Sequence, residues 1–394
     1  MRSDPLAYLA TDLDSLKQQG LYRHLRILED EQKPQATFDH RQVVNLSSNN
    51  YLGLTTHPRL REAGLEATRR LGVGSGSVRT IAGTMEIHME LERRLAAFKK
   101  TEAVVVFQSG FAANAGTVAA VLNKDDVVVS DELNHASIID GSRLSRATIK
   151  VFPHKDVEAA RKILADLPAS QRKLLITDGV FSMDGDVGAV PELCALAEEF
   201  GCIMMVDDAH ASGVFGESGR GTIDHFGMHG RVDIQVGTLS KAIGALGGYV
   251  AGSRTLIEFL YHRARPFLFS TSHPPAVAAA CIAAIDVLEQ EPQIIDRLWE
   301  NTRFFKAGLE RLGFNTGLSQ SPITPVIVGE GALAMKLSDR LFEEGVFAQG
   351  IAFPTVARDK ARVRTIVTAT HTRDELQFAL DVFGTVGREL GILH

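Results

Sequence analysis

The sequence predicts an α/β protein: an open, largely parallel sheet between helices, followed by a smaller α+β region. Three observations carry this reading. From about residue 43, short apolar runs alternate with helical patterns, the order expected of strands joined by crossover helices. The runs are rich in Val and Ile and are bounded by turn residues, which suits strands covered on both faces. A chain of 394 residues also exceeds what one ordinary core holds, so a large domain and a smaller one are expected.

Taken in order, residues 1–45 form an amino-terminal helical arm. Its amphipathic pattern over 5–19 is followed by a charged connector, and such an arm packs on another domain or subunit. Residues 46–280 form the large domain, with strands at 103–107, 127–130, 174–177, 202–206 and 233–236. A long helical pattern over 273–288 leads into the small domain, 281–394. There, 325–328 and 362–367 read as strands, and 332–344 and 373–390 as helices. No internal repeat and no linker rich in Pro, Gly or Ser separates the parts, so close contact between them is expected.

Composition narrows the function classes. Hydrophobic content of 45% and charged content of 23% describe a globular chain. The balance of 42 basic against 48 acidic residues argues against a nucleic-acid partner or an anionic membrane surface. Cys194, Cys202 and Cys281 lie far apart with no CxxC spacing, so neither a disulfide framework nor a metal site is expected. That usage, a charged amino terminus and no run long enough to span a bilayer together predict a cytoplasmic protein.

The chemistry concentrates where predicted strands end. Lys241, in Gly-Thr-Leu-Ser-Lys, sits in an apolar, glycine-rich setting. Desolvation there lowers a lysine pKa and favours a neutral amine able to form a Schiff base, while Thr238 and Ser240 offer hydroxyls suited to a phosphate. A surface lysine at a strand end is the commoner occurrence, so neighbouring residues must decide. Val-Asp-Asp-Ala-His brings Asp207 and His210 to the carboxyl end of another strand, the edge where open sheets place ligands. Asp207 suits the pyridine nitrogen of pyridoxal phosphate and His210 its ring oxygen, while Asp208 reads as a cap or a supporting group. Ser109, Gly110 and Phe111 open a helix after a strand, where free amides bind phosphate. His135 follows the next strand and is placed to lay an imidazole over the cofactor ring.

The order of segments resembles the α-oxoamine synthases of the fold-type I pyridoxal-phosphate enzymes, and the likeness covers nearly the whole chain. The segments are SSNNYLGL at 47–54, GSGSVRTIAGT at 74–84, HMELERRLAAF at 88–98, SGFAAN at 109–114 and DELNHASIIDG at 131–141. TDGVFSMDGD at 177–186, VDDAHASGVFG at 206–216, GTLSKA at 237–242 and RPFLFST at 265–271 complete the set. The resemblance implies a mostly parallel seven-stranded sheet and pyridoxal 5'-phosphate carried on Lys241. It implies Asp207 at the ring nitrogen, His210 at the ring oxygen and His135 stacked on the ring. Phosphate contacts fall on Ser109, on the amides of Gly110 and Phe111, on Thr238, and on Ser270 and Thr271 reaching across a homodimer. The substrate carboxylate falls to Asn49, Ser182 and Arg364, with Arg362 as a weaker choice, because a guanidinium binds a carboxylate through paired hydrogen bonds. Arg26 is assigned to coenzyme A or to the carboxylate.

The implied activity joins a small amino acid to an acyl-coenzyme A. Within the family, NNYLGL, DELNHASIIDG, TDGVFSMDGD and GRVDI at 230–234 point to glycine with acetyl-CoA, the glycine C-acetyltransferase branch. SGFAAN departs from that branch and resembles the 8-amino-7-oxononanoate synthases, which use alanine and a pimeloyl thioester. Relaxed specificity is a further alternative. An aminotransferase or lyase of the same fold, or a non-catalytic binding module, stands further off, since the module would be expected to lose Lys241 or His135.

Overall fold

The computed structural model describes residues 4–19, 22 and 24–393. In chain order the strands are β1 (Gln35–Phe38), β2 (Arg41–Asn45), β3 (Ala103–Phe107), β4 (Val127–Asp131), β5 (Thr148–Phe152), β6 (Lys173–Asp178) and β7 (Ile203–Asp207). They continue with β8 (Ile234–Thr238), β9 (Gly248–Gly252), β10 (Ile323–Gly329), β11 (Val346–Phe347), β12 (Gln349–Ile351) and β13 (Ala361–Ile366).

The main sheet has seven strands in the order β3-β9-β8-β7-β6-β4-β5. β9 runs antiparallel to both neighbours and the remaining pairs are parallel. Six strands therefore point the same way and deliver their carboxyl ends to one edge. Side chains alternate between two apolar layers, as a period of two requires. Val128, Ile176 and Met205 enter one layer with Val118 and Ile138 from the flanking helices. Val129, Leu175, Met204 and Val206 enter the other, against Leu193 and Leu196.

Two strands of this sheet were not anticipated from sequence. β5 is an edge strand whose first four residues are exposed, so its apolar run is broken by Thr148 and Lys150. β9 begins and ends in glycine, which reads as loop. Its Gly248 is required by close packing: a Cβ there would strike the Ser109 carbonyl and the Gly110 amide.

The carboxyl-terminal third forms a second, antiparallel sheet in the order β10-β13-β12, covered by the helices Gln293–Leu312, Gly331–Glu343 and Arg373–Glu389. Short β11 pairs with β2, so the amino-terminal hairpin joins this part of the molecule. The expected boundary at 280/281 falls within the continuous helix Pro275–Gln290. The amino-terminal helix is Tyr8–Gln18, within the 5–19 anticipated, and none of its residues is buried. Among the described residues no helix is long and apolar enough to cross a membrane.

Candidate active site

The site is assembled at the edge where the parallel strands end. Asp178 closes β6 and Asp207 closes β7, and the two are directly paired across the ladder. Asp207 is 5% exposed. Its Oδ1 accepts the Ala209 amide at 2.8 Å and its Oδ2 accepts Asn114 Nδ2 at 2.6 Å. The Asp178 carboxyl is pushed well above the usual carboxylate range by burial and by the charge of Asp207. Placing two buried carboxylates side by side thus disfavours charging both at once.

Lys241 follows β8 by three residues in a tight turn closed by Gly244 N–H to the Lys241 carbonyl at 2.9 Å. Gly244 has φ +76°, and a Cβ there would press on Leu54 and Thr55. Burial lowers the Lys241 amine to about 8, against the opposing pull of Asp207 and Asp178 and with help from Arg364.

His210 is buried, and burial followed by the Lys241 and Arg364 charges pushes its pKa well below the ordinary imidazole value. Its Nδ1 shares a 2.8 Å hydrogen bond with the Tyr51 hydroxyl, itself raised by burial. His135 caps the helix Ala136–Ser145 through Nδ1, which leaves the rest of the ring open. Its pKa is lowered, mainly by desolvation, with Asp207 opposing and Lys241 assisting.

An anion cradle lies beside them. Ser109 caps the helix Gly110–Val121 by accepting the Ala112 amide at 3.0 Å. The amides of Gly110 and Phe111 come first in this helix, ahead of the intrahelical ladder, at its positive end. Thr238 faces Gly110 closely enough that a Cβ on the glycine would lie 3.5 Å from the Thr238 Cβ. The Thr238 hydroxyl donates to the Gly247 carbonyl at 2.8 Å, which leaves its oxygen able to accept but commits its hydrogen. The Ser240 hydroxyl engages the same residue, donating to the Gly247 carbonyl at 3.2 Å and accepting its amide at 3.1 Å. Thr271 is tied within the chain, its carbonyl accepting Gln108 Nε2 at 2.8 Å.

Arg364, on β13, reaches from the second sheet. Its Nη1 donates to the Ser182 carbonyl at 3.0 Å and its Nη2 lies 3.5 Å from Asn49 Oδ1. Ser182 thus meets Arg364 through its backbone carbonyl. Arg362 is committed elsewhere, to Asp184 at 2.6 Å and the Met183 carbonyl at 2.9 Å, which favours Arg364 as the free cation. Arg26 is held apart from this group: it bonds Asp39 and Asp339 at 3.4 and 3.3 Å and lies over the Phe342 ring at 3.6 Å. Asp208 is fully buried, accepting Thr222 and pairing with Lys99 at 3.4 Å, a structural role.

Sequence reasoning assigned no role to Tyr51, Asn114, Ser137 or Asp178, which directly support the site. Tyr51 and Asn114 lie in the NNYLGL and SGFAAN segments, and that placement was the available signal. The assembled groups fit pyridoxal phosphate. A partly neutral amine, a fixed carboxylate, a histidine held by a tyrosine and a helix-start cradle supply one partner each for aldehyde, ring nitrogen, ring oxygen and phosphate.

Comparison with known proteins agrees with that fit. Residues 41–383 match the model of the family described as aminotransferase class I and II. The chain is 61% identical to the 8-amino-7-oxononanoate synthase of Symbiobacterium thermophilum over 387 residues, 98% of this chain and 99% of that one. It is 57% identical to the enzyme of the same name from Thermoanaerobacter pseudethanolicus over 389 residues, 98% of each. Its backbone superposes on serine palmitoyltransferase from S. paucimobilis, solved with bound PLP-myriocin, with a TM-score of 0.94 and 32% identity, covering 99% of this chain and 100% of that one. These relatives overturn the expectation of glycine C-acetyltransferase. Of the segments used for that choice, NNYLGL, DELNHASIIDG and TDGVFSMDGD supply Tyr51, His135 and Asp178 to this site, and GRVDI lies at the opposite end of β8, so none of them was read from an acyl pocket.

Proposed function

Because the chain belongs to the class I and II aminotransferase family, and within it to the pyridoxal-phosphate-dependent α-oxoamine synthases, we propose that it makes 8-amino-7-oxononanoate from alanine and a pimeloyl thioester. Alanine supplies the nucleophilic carbon, the thioester supplies the acyl group, and one CO2 and one free thiol leave for each product formed. The observation that carries the reading is full-length similarity at 61% to an enzyme of that name, joined to a site with each group the chemistry needs.

The geometry supports the following roles. Arg364, with Asn49 beside it, binds the alanine carboxylate, and a planar guanidinium fixes its orientation. The Lys241 amine, held near 8, takes the Cα proton without a large energetic cost at neutral pH. When bound, the cofactor supplies an electron sink for the resulting negative charge. Asp207, fixed by two donors, keeps the ring nitrogen protonated. His210, neutral and held by Tyr51, hydrogen-bonds the ring oxygen. The Gly110 and Phe111 amides hold the phosphate, Thr238 joins them by turning its hydroxyl hydrogen away from the Gly247 carbonyl, and Ser270 and Thr271 complete it from the second subunit of a homodimer. Phe111 and Phe269 are 47% and 69% exposed in the isolated chain, which suits burial against another copy.

The test is a matrix of glycine, alanine and serine against acetyl, succinyl, pimeloyl and palmitoyl thioesters, read by thiol release. Alanine with the pimeloyl thioester is expected to give the highest kcat/KM. A maximum at any other pair would replace the assignment.

A further inference from the structure

We propose that Asn114 and Ser137 are positioning residues that lock His135 in the Nε2–H tautomer and couple it to the Asp207 carboxylate. The inference rests on the reading that His135 borders the reacting centre, and it concerns the proton His135 presents there.

The direction of each hydrogen bond can be deduced in turn. The Asp207 carboxylate only accepts, so the group 2.6 Å from its Oδ2 must be the Asn114 amide nitrogen, which fixes the orientation of that amide. The same nitrogen lies 2.9 Å from Ser137 Oγ. One amide hydrogen therefore goes to Asp207 and the other to Ser137. Ser137 Oγ accepts from Asn114, which leaves its own hydrogen free for the atom 2.7 Å away, His135 Nδ1. The Ser137 backbone N–H, a donor that cannot reverse, also points at Nδ1 from 3.2 Å. Two donors converge on Nδ1, so it carries the lone pair and the neutral ring carries its proton on Nε2.

The strongest sign that this arrangement is selected for its donors lies at the other end of the amide. Asn114 Oδ1 is buried and has no hydrogen-bond partner among the described residues. Asn114 and Ser137 are 1% and 0% exposed. An interior that leaves one amide oxygen unsatisfied while both amide hydrogens are used is arranged around the nitrogen. The consequence for the reaction is definite. His135 turns a hydrogen-bond donor, Nε2–H, toward the open side of its ring, and the Asp207 carboxylate is oriented by the same asparagine. His135 thus serves the site as a donor toward an oxygen of the substrate, and proton removal from carbon is left to Lys241.

Neutron diffraction from the deuterium-exchanged holoenzyme reads the tautomer directly. Deuterium on His135 Nε2, none on Nδ1, and the Ser137 deuteron aimed at Nδ1 are expected. Deuterium on Nδ1 alone would overturn the proposal and leave the assigned reaction standing. Two near-isosteric variants extend the test. Ser137→Ala should lower kcat about tenfold with KM for the amino acid and pyridoxal-phosphate affinity unchanged, whereas Ser137→Thr, which keeps the hydroxyl, should retain wild-type kcat. Equal kcat for wild type and Ser137→Ala, with full cofactor occupancy, would also overturn it. The activity that these kinetics follow is whichever pair the thioester matrix identifies, so a change in that assignment leaves this test intact.

Discussion

Lys241 is useful because burial moves it only part of the way toward neutrality. With its pKa near 8, roughly a tenth of the amine is uncharged at pH 7, against about one in three thousand for an ordinary lysine. Cofactor capture by the apoprotein requires the uncharged amine, so its rate should rise with pH and level off above about 8. A rate still climbing steeply past pH 9.5 would place the amine in water. Lys241→Ala should remove the yellow colour of the bound cofactor and all turnover. The adjacent acids separate two kinds of loss. Asp207→Asn should keep the fold and lower turnover by several orders of magnitude, since it removes the anion facing the ring nitrogen. Asp208→Ala instead strands buried Lys99, at a cost of roughly 3–5 kcal/mol in stability, with a milder effect on turnover per folded molecule. Urea unfolding and kcat measured on both variants check the pair, and similar profiles for the two would contradict these roles. Lys241, Asp207, His135 and His210 stand out in the sequence because their chemistry belongs to the side-chain type. Asn114 and Ser137 do not, because an amide or a hydroxyl acquires its role only from the partners that folding brings to it.

At the scale of elements, the loop from Phe181 to Val187 matters because it presents the Ser182 carbonyl to Arg364. His154, beyond β5, ties this loop to the end of β4. Its Nδ1 lies 3.1 Å from Asp131 and its Nε2 2.9 Å from Asp186. Burial alone would lower its pKa, but the hydrogen bonds to the two carboxylates outweigh this and raise it to about 9. The folded value exceeds the unfolded one, so the stabilisation is complete below about pH 6.5 and is lost as pH rises through 9. His154→Gln should therefore cost up to roughly 3 kcal/mol at pH 6 and much less at pH 10. Equal losses at both values, measured by urea unfolding, would show that the imidazolium charge is not what holds the loop. The elements themselves were legible where burial imposes a continuous apolar run, as in β4, β6 and β7. They were not legible where packing substitutes for pattern, as in the glycine-bounded β9 and the exposed edge strand β5.

For the whole molecule, the proposed homodimer predicts shared sites. If Ser270 and Thr271 complete the phosphate cradle of the other subunit, Lys241→Ala chains mixed with chains inactivated at both Ser270 and Thr271 should regain activity after reassociation. With equal amounts and random pairing, about a quarter of the wild-type sites should return, because half the dimers are mixed and each restores one site. Absence of recovery, with mixed dimers present, would place those contacts within one chain. Family, cofactor and architecture were readable from the ordered segments, whereas the substrates were not. The site residues assigned from sequence serve the cofactor and the amino-acid carboxylate, and one methylene of acyl chain changes discrimination by only about 1–3 kcal/mol, spread over pocket contacts that no short segment encodes. SGFAAN alone pointed toward the branch that the relatives support. The most direct test of that assignment supplies the holoenzyme with alanine labelled at its carboxyl carbon and a pimeloyl thioester, and counts labelled CO2 against free thiol. One labelled CO2 per thiol, with 8-amino-7-oxononanoate identified by mass, is the predicted result; thiol release without labelled CO2 would contradict it.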